Sequence, residues 1–294
     1  MVSSLYVAER GAGPKTVVLL HGFGGCHDIW REVTASLGPD VRTLAYDLPG
    51  HGLSLVFPGS GPARTAARAV LADIAARGIA RVHVAGHSMG GAVASLMALA
   101  EPERIGSLTL LAPGGVGPEI NGPLLRRYAA AADRREIRAC LAAMSGPRSP
   151  PPERIVGVLA DVRRRPGQLR KLIEISAVMT RNERQGVIPR EQLDTLDMPV
   201  MVVWGTDDPV LPFTQADCLP AHFHIHHVLD AGHMLVEEVP DVVAQAVRRN
   251  MARRGRRLRP TFEAAASLAP RTSPVHFAAA CVNSQLTISA RRRR

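Results

Sequence analysis

The segment Val82-His83-Val84-Ala85-Gly86-His87-Ser88-Met89-Gly90-Gly91-Ala92-Val93-Ala94-Ser95-Leu96-Met97-Ala98-Leu99 changes character at Ser88. A short apolar run precedes the serine and a helix-forming run follows it, so the pattern predicts a strand, a sharp turn and a helix. The flanking glycines Gly86 and Gly90 lack the side chains that would hold strand and helix apart. A serine in such a turn is kept in a strained backbone shape. Its hydroxyl stands at the carboxyl end of the strand, beside the free N–H groups of a helix start.

A Gly-x-Ser-x-Gly pattern arises by chance in roughly one chain in ten of this composition, so it decides little alone. A serine that merely caps the helix is the bland alternative. Three further segments in the required order weigh against that alternative. Val17-Val18-Leu19-Leu20 runs into the glycine-rich loop His21-Gly22-Phe23-Gly24-Gly25. Fixed donors aimed at a developing oxyanion contribute about 3 kcal/mol each, and the backbone N–H groups of Phe23 and Met89 are the expected pair. His21 is expected to brace the loop, with Gly22, Gly86, His87 and Gly90 in supporting places. Pro199 to Trp204 is a second buried-strand pattern, ending in Gly205-Thr206-Asp207-Asp208-Pro209. One of these carboxylates should orient a histidine; Asp208 is preferred and Asp207 stays open. His226 to Met234 supplies a last strand and then a loop histidine, His233, placed 25 residues after Asp208. Imidazole takes up and returns a proton near neutral pH. His233 would therefore accept the Ser88 proton while Asp208 holds its tautomer.

On these residues the chain resembles the α/β-hydrolase superfamily over roughly residues 5 to 250, and Tyr46-Asp47-Leu48-Pro49-Gly50-His51-Gly52-Leu53-Ser54 matches that superfamily's loop after the next strand. The resemblance implies an α/β fold with an eight-stranded, mostly parallel sheet, helices on both faces and a triad of Ser88, Asp208 and His233. More narrowly, Leu110-Leu111-Ala112-Pro113-Gly114-Gly115-Val116-Gly117-Pro118-Glu119-Ile120-Asn121 is similar to the hydrolase-fold domain at the carboxyl end of acetoin dehydrogenase dihydrolipoyl acyltransferase subunits. That likeness implies association with a multienzyme complex. The hydrolase pattern begins within the first twenty residues, and the only lysines, Lys15 and Lys171, lack an Asp-Lys-Ala setting. A lipoyl domain is therefore not expected, nor is the His-x-x-x-Asp-Gly motif of ordinary dihydrolipoyl acyltransferases found. The leading expectation is a serine hydrolase acting on a small or medium ester or thioester. Acyl transfer beside an acetoin-cleaving complex, carbon–carbon bond hydrolysis by the same residues and a non-catalytic docking module are the alternatives. Halide displacement would want a carboxylate at position 88.

At 294 residues the chain can bury about three quarters of its unfolded surface, enough for one large α/β domain. Residues 1–112 and 188–250 read as the α/β core. Residues 113–187 read as a helical cap between the sixth and seventh of the eight strands, with helical stretches at Leu124 to Met144, Pro152 to Arg164 and Gln168 to Met179. Leu124, Leu125, Tyr128, Met144, Ile175 and Met179 are candidate pocket lining or ordinary helix core. Arg126, Arg127 and Arg181 would meet an anionic substrate or form a solvated face.

The net charge of +10 is uneven. From Arg248 onward there are twelve arginines and one acid, Glu263, whereas the remainder is close to neutral. Residues 251–294 therefore read as a basic, solvated tail. Without a basic face on the folded body or aromatics interleaved with the charge, specific nucleic-acid binding is not expected. His222, His224 and His226 alternate along a strand, but no acid or cysteine joins them and no metal or other cofactor is expected. Cys26, Cys140, Cys218 and Cys281 are dispersed, which argues against a disulfide framework. With no signal pattern and no long apolar run, a cytoplasmic protein is expected, acting on a small-molecule acyl substrate away from membranes.

Overall fold

The computed structural model describes residues 4–255. Strand β1 (Val7–Arg10) is followed by β2 (Lys15–Leu20), α1 (Arg31–Leu37), β3 (Val41–Tyr46), α2 (Ala63–Ala76), β4 (Val82–His87), α3 (Met89–Ala100) and β5 (Ile105–Leu111). Four helices then interrupt the alternation: α4 (Gly122–Ala130), α5 (Arg134–Met144), α6 (Glu153–Arg163) and α7 (Gln168–Met179). The chain returns through α8 (Arg190–Asp194), β6 (Val200–Gly205), β7 (His224–Val228), α9 (Leu235–Glu238) and α10 (Pro240–Met251).

The sheet order is β1-β3-β2-β4-β5-β6-β7, with β1 antiparallel to β3 and every other pair parallel. The central strands are covered on both faces, by α1 with α10 and by α2 with α3. This explains why Val17 to Leu20 and Ile105 to Leu111 read as unbroken apolar runs, since a strand buried on both sides has no polar side to alternate with.

Two expectations are corrected here. The sheet has seven strands among the described residues, because one edge strand, Val7–Arg10, lies outside β3 where eight strands would need two. The insertion therefore sits between the fifth and sixth strands. The helical stretch from Leu124 to Met144 is broken in the middle. Asp133 caps α5 by accepting from the Glu136 N–H at 2.8 Å, and the Glu136 carboxylate accepts from the Ala132 N–H at 2.8 Å. That reciprocal arrangement starts a new helix and was written in the sequence as Asp-x-x-Glu.

One arginine counted with the basic carboxyl-terminal stretch is tied to the body. Arg248 lies within α10 and donates to the carbonyls of Ser36 and Leu37 at the end of α1, so it belongs to the body. Most of the basic tail, residues 256–294, lies outside the described residues.

The turn at Ser88 depends on its glycines. A Cβ on Gly86 would overlap the Gly90 carbonyl, and one on Gly90 would overlap the Leu20 and His21 carbonyls at the end of β2. Both obstacles are backbone and cannot rotate away. Gly90→Ala is therefore expected to cost about 3 kcal/mol, read as a lower urea midpoint; a midpoint equal to that of the parent protein would show that β2 and α3 are free to separate.

Candidate active site

Ser88 is the residue between β4 and α3, with φ 53° and ψ −118°. Few non-glycine residues tolerate this left-handed shape, and it costs of order 1–3 kcal/mol. Its own backbone offsets the strain. Ser88 N–H donates to Leu111 O, and Ser88 O accepts from the N–H groups of Gly91, Ala92 and Gly114. The seat is thus fastened to both neighbouring secondary elements.

Three loops converge on the hydroxyl. His233 Nε2 lies 2.9 Å from Ser88 Oγ, and His233 Nδ1 lies 2.8 Å from Asp208 Oδ2. A carboxylate only accepts, so Nδ1 carries the ring proton and Nε2 is left to accept from the serine. The side chains of His233 and Asp208 are 3% and 0% exposed, which keeps water from competing for either bond. Asp208 Oδ1 accepts from the N–H groups of Val210 and Leu211 at 2.8 and 2.9 Å, while Oδ2 also accepts from Trp204 Nε1 at 3.2 Å. Asp207 is exposed and takes part only through its backbone N–H, which donates to Ala231 O. Asp208, not Asp207, is therefore the carboxylate that meets the histidine.

The glycine-rich loop is held by two buried imidazoles. His21 donates from Nδ1 to Gly22 O at 2.7 Å and accepts at Nε2 from Leu48 N–H at 3.0 Å. His51 performs the matching task from the facing loop, with Nε2 accepting from Gly24 N–H and Nδ1 donating to Pro49 O. Burial lowers the basicity of both rings, that of His51 down to about 3, so both stay neutral. With the loop fixed in this way, the Phe23 N–H has no protein acceptor among the described residues. The Met89 N–H, at the first position of α3, has no partner within the helix.

His87 lies behind the serine. Its Nε2 donates to His233 O at 2.7 Å, and burial lowers its pKa to about 3. Glu238, which the sequence reading passed over, pins the His233 loop by accepting from the N–H groups of Gly146, Gly232 and Met234. Its signal was visible only as one of two adjacent acids after His233.

Above Ser88 opens a cavity of about 450 Å³ with mostly apolar walls that include Ala92, Leu96, Ile120, Leu125, Met179 and Ile188. A second, much smaller cavity of about 20 Å³ is also lined by Ser88, together with Phe23, His87 and His233, and it touches Leu125, Tyr128 and Met144. Of the suggested pocket residues, Ile175 packs elsewhere, beside Leu48 and Pro49, and Leu124 joins the core. Arg126, Arg127 and Arg181 line neither cavity. Arg126 is paired with Glu183 and Thr180 instead. The inserted helices are tied down by fully buried Gln168, which donates to Gly50 O and accepts from Gly52 N–H, each at 2.9 Å.

Among the described residues one set of potential metal ligands converges, Cys26, His27 and Asp47. Burial pushes the Cys26 thiol up to about 12, and His27 Nδ1 is already engaged by Asp47 Oδ1 at 2.8 Å, so the set reads as a hydrogen-bonded loop anchor. Two of the alternating histidines have other partners: His222 donates to Leu196 O, and His224 lies against the Arg253 guanidinium.

Both carboxyl oxygens of Glu237 are buried, and neither has a hydrogen-bond partner among the other described residues. Burial raises its pKa to about 8, from an ordinary 4.5. The folded protein thus holds the acid neutral over a range in which the unfolded chain ionises, and stability is lost as pH rises from about 4.5 to 8. Glu237→Gln is expected to raise the urea midpoint at pH 8, with the gap closing at pH 4. A gap independent of pH would contradict this.

Comparison with known proteins places this geometry in context. A family model described as "Alpha/beta hydrolase family" matches residues 17–246. The dihydrolipoyllysine-residue acetyltransferase component of the acetoin cleaving system from Cupriavidus necator is 31% identical over 77% of this chain and 61% of its own length. The chain therefore spans less than two thirds of that relative. A 2-hydroxy-6-oxononadienedioate/2-hydroxy-6-oxononatrienedioate hydrolase from a Pseudomonas species is 31% identical over 71% of this chain and 77% of its own. A meta-cleavage product hydrolase structure from Pseudomonas fluorescens superposes with a TM-score of 0.73 at 19% identity, covering 84% of this chain and 93% of that one.

Proposed function

The chain belongs to the alpha/beta hydrolase family, and from that premise we propose that it is a serine hydrolase cleaving a small or medium ester or thioester. The observation that carries the reading is the line from Asp208 through His233 to Ser88, with distances of 2.8 and 2.9 Å, at the floor of an apolar cavity. In this mechanism Ser88 Oγ attacks the substrate carbonyl while its proton passes to His233 Nε2. Asp208 stabilises the imidazolium, and the N–H groups of Phe23 and Met89 hold the oxyanion. His233 then protonates the leaving group. Water, deprotonated by the same ring, releases the acid and restores the serine.

The helices between β5 and β6 act as the cap in this reading, since Leu125 and Met179 belong to the cavity wall. The apolar lining favours a hydrocarbon portion of the substrate on that side. None of the described helices is long and apolar enough to cross a membrane, in keeping with a substrate met in water.

A fluorophosphonate probe tests the assignment. The parent protein should be labelled at Ser88 and Ser88→Ala should not; a parent protein that stays unlabelled would argue for a docking module.

Two variants of the chemistry are favoured by particular relatives. The likeness to the acetoin-system component supports a second reading in which a thiol replaces water as acyl acceptor, within or beside a multienzyme complex. The likeness to the ring-cleavage-product hydrolase supports carbon–carbon bond cleavage by the same residues. Acyl transfer to dihydrolipoamide against release of free acid separates the first from simple hydrolysis.

A further inference from the structure

Helix α3 is apolar on every side, because its one polar residue, Ser95, is buried and donates from Oγ to Gly91 O. A helix of that kind is ordinarily covered all round. Yet between Met89 and Leu96 one stripe, made of Met89, Ala92 and Leu96, is only half-buried, and all three residues line the cavity of about 450 Å³. Spacings of three and then four residues put them on one face, so they form a continuous apolar floor that begins beside Ser88. Leu99, the next residue on that face, does not line the cavity, and the floor ends at Leu96. Val178 and Val187 also line it while being 51% and 47% exposed, so the cavity meets solvent between apolar side chains. Among the described lining residues only Arg64 is charged, and it is exposed, so the floor offers nothing to a polar group.

The two halves of an ester leave Ser88 in different directions. The leaving atom must come within hydrogen-bond reach of His233 Nε2 to be protonated. His233 lines the cavity of about 20 Å³ and not the large one. The large cavity adjoins Ser88 and Met89 instead. The acyl substituent is thereby directed along α3, away from the histidine.

We propose that the large cavity is an acyl-chain groove floored by α3, so that the enzyme prefers medium-chain acyl groups of up to about eight carbons over acetyl. The proposal rests on the serine-hydrolase reading and deepens it by naming the acyl class. An α-helix rises about 1.5 Å per residue, which carries Leu96 about 10 Å past Met89. An extended chain advances about 1.2 Å per bond, so about eight carbons reach the end of the floor. Further methylenes would gain no apolar surface. Ala92 and Leu96 are specificity-determining residues in this arrangement, the first acting near the carbonyl end of the chain and the second near its tip.

The test measures kcat/KM for methyl acetate, butanoate, hexanoate, octanoate and decanoate, and for alkyl acetates with alcohols of the same lengths. Methyl esters suit the narrow space beside His233. Along the acyl series kcat/KM is expected to rise about two- to fourfold per methylene, fourfold being the full value of a buried CH2, and to level off after octanoate. The alkyl acetates should show no such rise. In Ala92→Phe the octanoate-to-acetate ratio should fall about tenfold or more, with butanoate already penalised. Leu96→Asp should penalise octanoate while the butanoate-to-acetate ratio holds. Each readout is a ratio within one protein, so partial loss of folded enzyme cancels; if one variant does not fold at all, the other still locates the chain. A labelled parent protein that is indifferent to acyl length, or that follows alcohol length instead, overturns the groove alone, as does a preference unchanged in the variants. A parent protein that is neither labelled by the fluorophosphonate nor active on any ester overturns the hydrolase reading, and the groove with it.

Discussion

Ser88→Ala is expected to lower kcat for ester hydrolysis by about a millionfold while leaving the fold intact. The substitution removes the oxygen that the proposed mechanism uses to attack. It keeps the Cβ, so the unusual backbone shape at position 88 is no harder to adopt, and the bonds that fasten the turn are all made by main-chain atoms. His233 loses one hydrogen bond at Nε2 and keeps its bond to Asp208. The urea midpoint should therefore change little, and steady-state assays with enough enzyme should still find about a thousandfold acceleration over water from the oxyanion donors. A variant retaining even a hundredth of the parent activity would move the nucleophile elsewhere.

Asp208→Asn is expected to reduce kcat by about ten-thousandfold, the second largest effect. The reason lies in the four protein donors around this carboxylate. Oδ1 accepts from two backbone N–H groups and Oδ2 faces both the Trp204 indole N–H and the His233 ring. The asparagine must keep its oxygen toward Val210 and Leu211, since an amino group there would meet two donors. Its NH2 then points at Trp204 and His233. Facing a donor, the imidazole takes the tautomer that is protonated at Nε2, and that tautomer cannot accept the Ser88 proton. The collision with the indole N–H adds about 1–3 kcal/mol of instability, visible in the urea midpoint. Activity that recovers with rising pH would support the tautomer argument; a simple loss of folded protein would not.

How much of this was legible in the chain follows from the range of each interaction. The nucleophile turn is a local matter of glycines and apolar runs, so Gly86 to Gly91 could be read directly. The doubly covered strands showed as unbroken apolar runs, and with the glycine loops they revealed the hydrolase fold. Choosing Asp208 over Asp207 depended on which side chain turns inward after β6, which two adjacent identical residues do not disclose. Glu237 and Glu238 pose the same difficulty: one pins the His233 loop and the other lies unpaired behind the nucleophile, but in the sequence they are simply two acids at the start of a helix. Arg248 was counted with the arginines of the basic tail because composition is averaged along the chain. Its bonds to Ser36 and Leu37, more than two hundred residues away, do not appear in any window. The break between α4 and α5 is different in kind, since Asp133 and Glu136 spelled it out and a long run of alanines and arginines masked it.

The four main-chain bonds around Ser88 carry a consequence for turnover. Whatever energy the unusual torsion costs is met during folding and not again with each substrate. In the proposed mechanism the attacking oxygen waits in its final orientation while substrate molecules come and go. Differences in rate among substrates should then arise from how each molecule settles into a finished mould rather than from how far the protein must bend to meet it.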